Sequence, residues 1–264
     1  MNELKWEVDG RTEVRQLPSG WAELDEKGFL SAVRMRLATD SGDDAAADDA
    51  LRQLLDMDVE VFALLGAWQR MQLREAFSWT STTDAVFPDC KLPSFEFEGT
   101  RYEGFTRHFS NLTWGEFLWA DTFFMRQNFV EMAAVLYREP AGKRRGLDVR
   151  VPFDEYDMQR RATQFRNLPP DILTAILINY NAVRRASLEE KYPKLFPGRS
   201  SGSDGETKTE KTSDFSWFDI HHRLMGDRFI YADKFENARL SLVLAYLDDE
   251  IREAEKRKRD LNRH

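Results

Sequence analysis

Cysteine is nearly missing from this sequence: Cys90 is the only one in 264 residues. One thiol closes no intramolecular disulfide and builds no cysteine-based zinc site, so the fold must rest on a packed core. The expected setting is a reducing one, the cytoplasm. Histidine is scarce too, with four residues: His108, His221, His222 and His264. None stands in an HExxH or other ligand spacing. The adjacent pair His221 and His222 would point to different faces of a helix and is not expected to share a metal. Long apolar runs are missing. The best, ILTAILI at 172–178, falls far short of the ~20 residues that a membrane span needs. The opening MNELKWEVDGRTE lacks the apolar segment of a secretion signal. A basic excess is missing as well. Lys and Arg number 38 against 46 Asp and Glu, and the net charge of −8 argues against nonspecific binding to nucleic acid or an anionic membrane. The phosphate-binding motifs GxxxxGKS/T and GxGxxG do not occur.

Apolar residues make up 42% of the chain, and 19 Phe and 7 Trp supply more ring surface than most domains carry. That composition folds into a core, and surplus rings are candidates for interface anchors. The periodicity predicts a mainly α, multi-helix globular body with a small β-hairpin element. Residues 1–16 read as an N-terminal arm, with LKWEVDGRTEV either a hairpin turning at Asp9-Gly10 or a loose segment. The core domain is expected over 17–197. Within it, Ser19 or Gly20 precedes a helical stripe of Trp21, Leu24, Phe29, Val33 and Leu37. From residue 40 an acidic start leads into a second stripe: Leu51, Leu54, Leu55, Val61, Phe62, Leu65, Trp68 and Met71, all expected in the core. SFEFEGTRYEGF alternates with the period of a strand and turns at Gly99, which places the β element near 95–105. Thr113 and Glu116 have the spacing of a capping box, ahead of an aromatic helix that Pro140 stops. Asp154 caps a helix through Phe165, and another begins at Pro169-Pro170 and ends near Tyr192-Pro193. GRSSGSDGETKTEKTSD, 198–214, holds no large apolar residue and reads as a flexible linker. Helices over 215–264 are expected to pack on the core, with a charged tail.

Residues capable of chemistry are present but not ordered for it. Asp43, Asp44, Asp48 and Asp49 lack the alternating order and closing Glu of a calcium loop. Cys90 is a nucleophile only if the fold brings it a base such as His108. Glu116, Asp121, Asp148, Asp154, Glu155 and Asp157 offer carboxylates, but a glycosidase needs two facing across a cleft. The basic residues Lys143, Arg144, Arg145, Arg150, Arg160, Arg161, Arg166, Arg184 and Arg185 are read as salt-bridge partners before phosphate ligands, because acidic residues run between them. The expectation is therefore no catalytic residue, no cofactor and no metal.

A set of ordered blocks carries a resemblance: LPSGWAEL at 17–24, NLTWGEFLWAD at 111–121, MAAVLYREP at 132–140, GLDVRVPFDEYDMQRRATQFRNLP at 146–169 and AILINYNAVRRASLEEKYPKLF at 175–196. Over roughly residues 17–250, the linker aside, the chain resembles uncharacterised proteins encoded in the tail-gene regions of phages and prophages of Bacteroidetes-type bacteria. The resemblance implies a non-enzymatic factor like a tail assembly chaperone, binding a protein client such as a tail or tape-measure protein in the host cytoplasm. Alternatively it implies a structural tail or connector subunit, found in the virion and able to form a homo-oligomer. A carboxylate-based hydrolase is the third reading. The residues expected to bind protein are the aromatic ones at 114–124 and 217–218: Trp114, Phe117, Trp119, Phe123, Phe124, Trp217 and Phe218.

Overall fold

A computed structural model describes residues 2–8, 11–82, 84–145, 148–196, 217–225 and 232–261. The chain divides into two compact units, one of residues 1–93 with 168–183, the other of residues 94–167 with 184–264. The mainly helical body with small two-stranded antiparallel sheets matches the periodicity of the sequence. Among the described residues, no helix is long and apolar enough to cross a membrane.

Unit 1 opens with a hairpin of β1 (Asn2–Val8) and β2 (Arg11–Leu17), in which Val8 pairs with Arg11. The Asp9-Gly10 turn itself lies outside the described residues, but the pairing on both sides of it decides for a hairpin over a loose segment. Leu4 and Leu17 reach the core of the unit. Ser19 binds the Glu23 carboxylate through its hydroxyl and its backbone N–H, and this closes a short 3-10 turn. The α-helix begins later than the Ser19 or Gly20 cap expected for it. Asp25 accepts from Gly28 N and starts α1 (Glu26–Ser41).

Asp43 caps α2 (Asp44–Leu54), and α3 (Val59–Ala63) and α4 (Ala67–Ala76) follow. The core of unit 1 forms where Met35, Leu51, Leu55, Phe62, Leu73 and Phe77 meet. The stretch expected as one helical stripe is broken twice, at 55–58 and at 64–66. Each break resets the helical phase, so Trp68 and Met71 do not join this core and are exposed. The fourth contribution to the unit is α8 (Pro170–Arg184) up to Val183. There Asp171 pairs with Arg34, and the Asn179 side chain accepts from Lys91 N.

Unit 2 begins with a hairpin of β3 (Ser94–Phe97) and β4 (Thr100–Glu103). Glu98 at φ 49° and Gly99 at φ 75° both take the left-handed conformation that a two-residue turn demands, and glycine supplies the second without strain. Phe95 and Tyr102 pack with Tyr137 and Phe165. Thr113 and Glu116 form the expected capping box at the start of α5 (Trp114–Met125). After a break at Arg126–Asn128, α6 (Phe129–Leu136) follows. The hairpin of β5 (Pro140–Arg145) and β6 (Asp148–Arg150) leads to α7 (Glu155–Phe165), capped by Asp154 as expected. A π-helical turn, Arg185–Glu189, precedes Tyr192. The last elements are α9 (Trp217–Met225), α10 (Ala232–Glu236) and α11 (Leu240–Leu261). Backbone bonds Trp114 N to Ala238 O and Leu240 N to Leu112 O tie the start of α11 to the start of α5. The segment 198–214 read as a linker lies outside the described residues.

Candidate functional site

The aromatic helix α5 carries apolar residues around its circumference, with Glu116 and Asp121 buried among them, which is the pattern of a buried helix rather than a surface one. Trp114 and Phe117 are fully buried, and Trp217 of α9 is nearly so. The Trp217 ring meets Trp114, Phe117 and Phe196 at centroid distances of 5.8, 5.3 and 5.0 Å. These three expected anchors are therefore interior residues: the face that would hold a client is filled by the chain's own α9. Trp119, Phe123, Phe124 and Phe218 are half-buried, and Trp119 stacks on Phe123 and edge-on to Phe218.

Polar groups enter this apolar interior only with partners. The Trp217 indole N–H donates to Asp121, which also accepts from Arg184 at 2.6 Å. The Trp114 indole N–H donates to Nδ1 of buried His221 at 3.1 Å, and Nε2 of the same ring faces Glu236 at 3.4 Å. Burial lowers the His221 pKa, and the Glu236 charge opposes that only in part. His222 points outward, as adjacency on a helix requires.

A buried ionic cluster sits at the capping box. Glu116 binds Arg138 at 2.7 Å and Arg150 at 3.0 Å, and Asp148 binds Arg150 at 2.8 Å. The Asp148 carboxyl is pushed up by burial, yet the Arg150 hydrogen bonds and charge outweigh this and leave it below the usual range. A cleft of about 250 Å³ opens beside the cluster. Its two carboxylates are committed to arginines, whereas a general acid needs a raised pKa and a free proton. Arg161 is likewise buried and paired with Glu139. Arginines at 150, 161 and 184 thus act as salt-bridge partners, while the side chains of Lys143, Arg144 and Arg145 lie outside the described residues.

The remaining reactive groups are dispersed. Cys90, in unit 1, donates to Leu92 O and accepts from the Asn179 amide. His108, in unit 2 and in the left-handed region at φ 53°, shares a 2.9 Å hydrogen bond with Ser187. A nucleophilic serine also needs an orienting acid on the histidine, and His108 has no such partner among the described residues. No group of three His, Cys, Asp or Glu side chains is placed to hold a metal among the described residues. The acidic cluster of α2 is neutralised by arginines: Asp44 and Asp48 bind Arg74, Asp48 binds Arg70, and Asp49 binds Arg52.

Unit 1 also leaves large apolar side chains uncovered. Leu64 is 80% exposed, Trp68 63% and Met71 56%. Trp68 and Met71 share a face of α4 at i, i+3 spacing, and Met71 forms the lip of a groove of about 580 Å³. Met35 and Phe77, both core residues, form its floor, and Arg36, Thr39, Asp40 and Glu75 line its sides. Sequence reasoning missed this face because it read residues 51–71 in one helical phase. Gly66, standing just ahead of α4, was the available sign of a break.

No family model matches the chain, and neither a curated protein nor a solved structure does.

Proposed function

We propose that the chain is a non-enzymatic protein-binding factor that works by stoichiometric capture through the Trp68 and Met71 face of α4 in unit 1. The carrying observation is Trp68, a large ring left 63% exposed next to an apolar groove whose floor is continuous with the core. Exposed tryptophan beside a concave apolar surface is the composition of a binding hot spot, and it costs solubility unless something covers it. The groove suits the apolar face of a helix. Saturation of Glu116 and Asp148 by arginine supports binding over carboxylate hydrolysis. Together with the resemblance to phage and prophage tail-region proteins, this favours a factor like a tail assembly chaperone, with a tail or tape-measure protein as client.

Co-expression with the neighbouring genes, followed by affinity capture and mass spectrometry, tests the reading. One dominant partner is expected, and Trp68→Ser should abolish its capture without unfolding the protein. Retention of the partner by that variant would move the binding surface elsewhere. A second reading, a structural virion subunit, is favoured by the exposed Leu242 and Tyr246 of α11. Fixed copy number in finished particles would select it, and absence from particles would select the assembly factor.

A further inference from the structure

A cavity of about 270 Å³ lies within unit 2, where three elements meet: the 3-10 turn Arg107–Phe109, the π-helical turn with the residues just after it, and the first two turns of α11. It shares no lining residue with the groove of unit 1 or with the cleft beside Glu116. Two of the three elements depart from regular backbone. His108 and Phe109 are consecutive residues at φ 53° and 55°, a left-handed pair built without glycine. A residue with a Cβ enters that region at a cost. The π turn Arg185–Glu189 takes in one residue more than an α turn, so it moves the side chains that follow around the helix axis. Departures of both kinds gather at binding sites, where the surrounding structure holds them. Their joint result is at the cavity wall: His108 Nδ1 stands 2.9 Å from Ser187 Oγ.

The lining carries donors and no acid. Lys191 holds its Nζ 5.3 Å from the centre of the Tyr192 ring, itself part of the wall, and has no ion pair among the described residues. A Ser187 hydroxyl that donates to Nδ1 leaves the ring proton of His108 on Nε2, which has no partner among the described residues. Ser241 offers a second hydroxyl, and Leu188, Leu240 and Leu244 form an apolar side. No Asp or Glu lines the cavity, although the net charge of the chain is −8. We propose that this cavity binds a small organic carboxylate with an aliphatic body. The carboxylate meets the Lys191 ammonium and the His108 Nε2–H, Ser241 adds a hydroxyl donor, and the body lies on the three leucines. Inorganic phosphate would leave those leucines in water, and a neutral ligand would leave the ammonium without a counter-charge. Ser187 here orients His108 for binding and attacks nothing, in keeping with a histidine that lacks an orienting acid. The site is independent of the capture face on α4.

Isothermal titration calorimetry of the full chain with butanoate, hexanoate and octanoate tests it. One saturable site is expected. Hexanamide has the same body without the charge and should bind roughly 10- to 100-fold more weakly than hexanoate, the loss expected when a charged hydrogen-bond partner is removed. Inorganic phosphate should also bind more weakly than hexanoate. Lys191→Met should weaken hexanoate by the same factor as the amide. Lys191 is exposed, so the fold should survive, and circular dichroism checks this. His108→Asn takes away the ring donor but keeps a residue type that tolerates left-handed backbone, and it should weaken hexanoate too. The chain has only four histidines, so the imidazole resonance missing from His108→Asn identifies His108 in the NMR spectrum of the wild type. Hexanoate should shift that resonance and leave those of the other three in place. No saturable binding across the series overturns the proposal. Equal affinity for hexanoate and hexanamide, equal affinity for hexanoate and phosphate, or an unchanged affinity in folded Lys191→Met overturns it as well. Capture of a partner through Trp68 is read separately and stands or falls without this result.

Discussion

Glu116 caps a helix and also neutralises two arginines. Its Oε2 accepts from Thr113 N and from Arg150, and its Oε1 faces Arg138. All three charged side chains are at most 3% exposed. Truncation as Glu116→Ala leaves Asp148 alone to neutralise two buried cations, and breaking a buried pair this way costs about 3–5 kcal/mol. Urea titration should show that loss, and Arg138 Nε and Nη1, already without acceptors, leave little local compensation. His221 gives a pH dependence of known sign. Its neutral Nδ1 accepts the Trp114 indole N–H, so protonation sets donor against donor. Its folded pKa lies below the ordinary 6.5, first because of burial. The stabilisation from the neutral ring is complete above 6.5 and is lost as pH falls through the folded pKa. Melting temperature should drop over that window, and His221→Gln, which keeps an acceptor but does not titrate, should flatten the drop.

At the level of elements, the start of α5 and the turn between β3 and β4 are local devices that the sequence spells out. Thr113→Ala removes the oxygen that accepts from Glu116 N, and a loss of about 1 kcal/mol is expected by chemical denaturation. Gly104 tests packing instead of a local device. A Cβ there would stand 2.5 Å from the Tyr137 ring, which is itself held by Phe95 and Phe105. Gly104→Ala should therefore destabilise by about 1–3 kcal/mol, since a ring enclosed on several sides cannot yield cheaply. The hairpin of β3 and β4 was legible from alternation and from Gly99, and the cap from two residues three apart. The position of α9 was not legible, because no local pattern says that Trp217 will fill the space beside Trp114 and Phe117.

For the whole molecule, stability and binding should separate by surface. Trp68→Ser removes a ring that packs on little, so unfolding free energy should move by no more than about 0.5 kcal/mol. Capture of the partner should fall sharply in the same sample. Trp217→Ala should do the reverse. It removes a ring in contact with three aromatic neighbours and leaves Asp121 without its indole donor, at a cost of about 3–5 kcal/mol. A reversed outcome, with binding lost at Trp217 and kept at Trp68 in folded protein, would return the binding surface to α5 and α9.

The sequence by itself determined the helical class, the caps at Thr113 and Asp154, and the turn at Gly99. Each is set by residues within about four positions of one another, so hydrogen-bond geometry and backbone sterics suffice. It also determined the scarcity of metal-ligating residues, which is a matter of composition. Only the tertiary structure decided which aromatic residues face water. The spacing puts Trp68 in the core and Trp114 among the binding residues, yet Trp68 is exposed and Trp114 enclosed. The difference arises from the break at Gly66, which rotates α4, and from α9 covering α5 across a hundred residues of chain. Exposure is a property of what packs nearby, and packing between distant segments is not written in the spacing of either one.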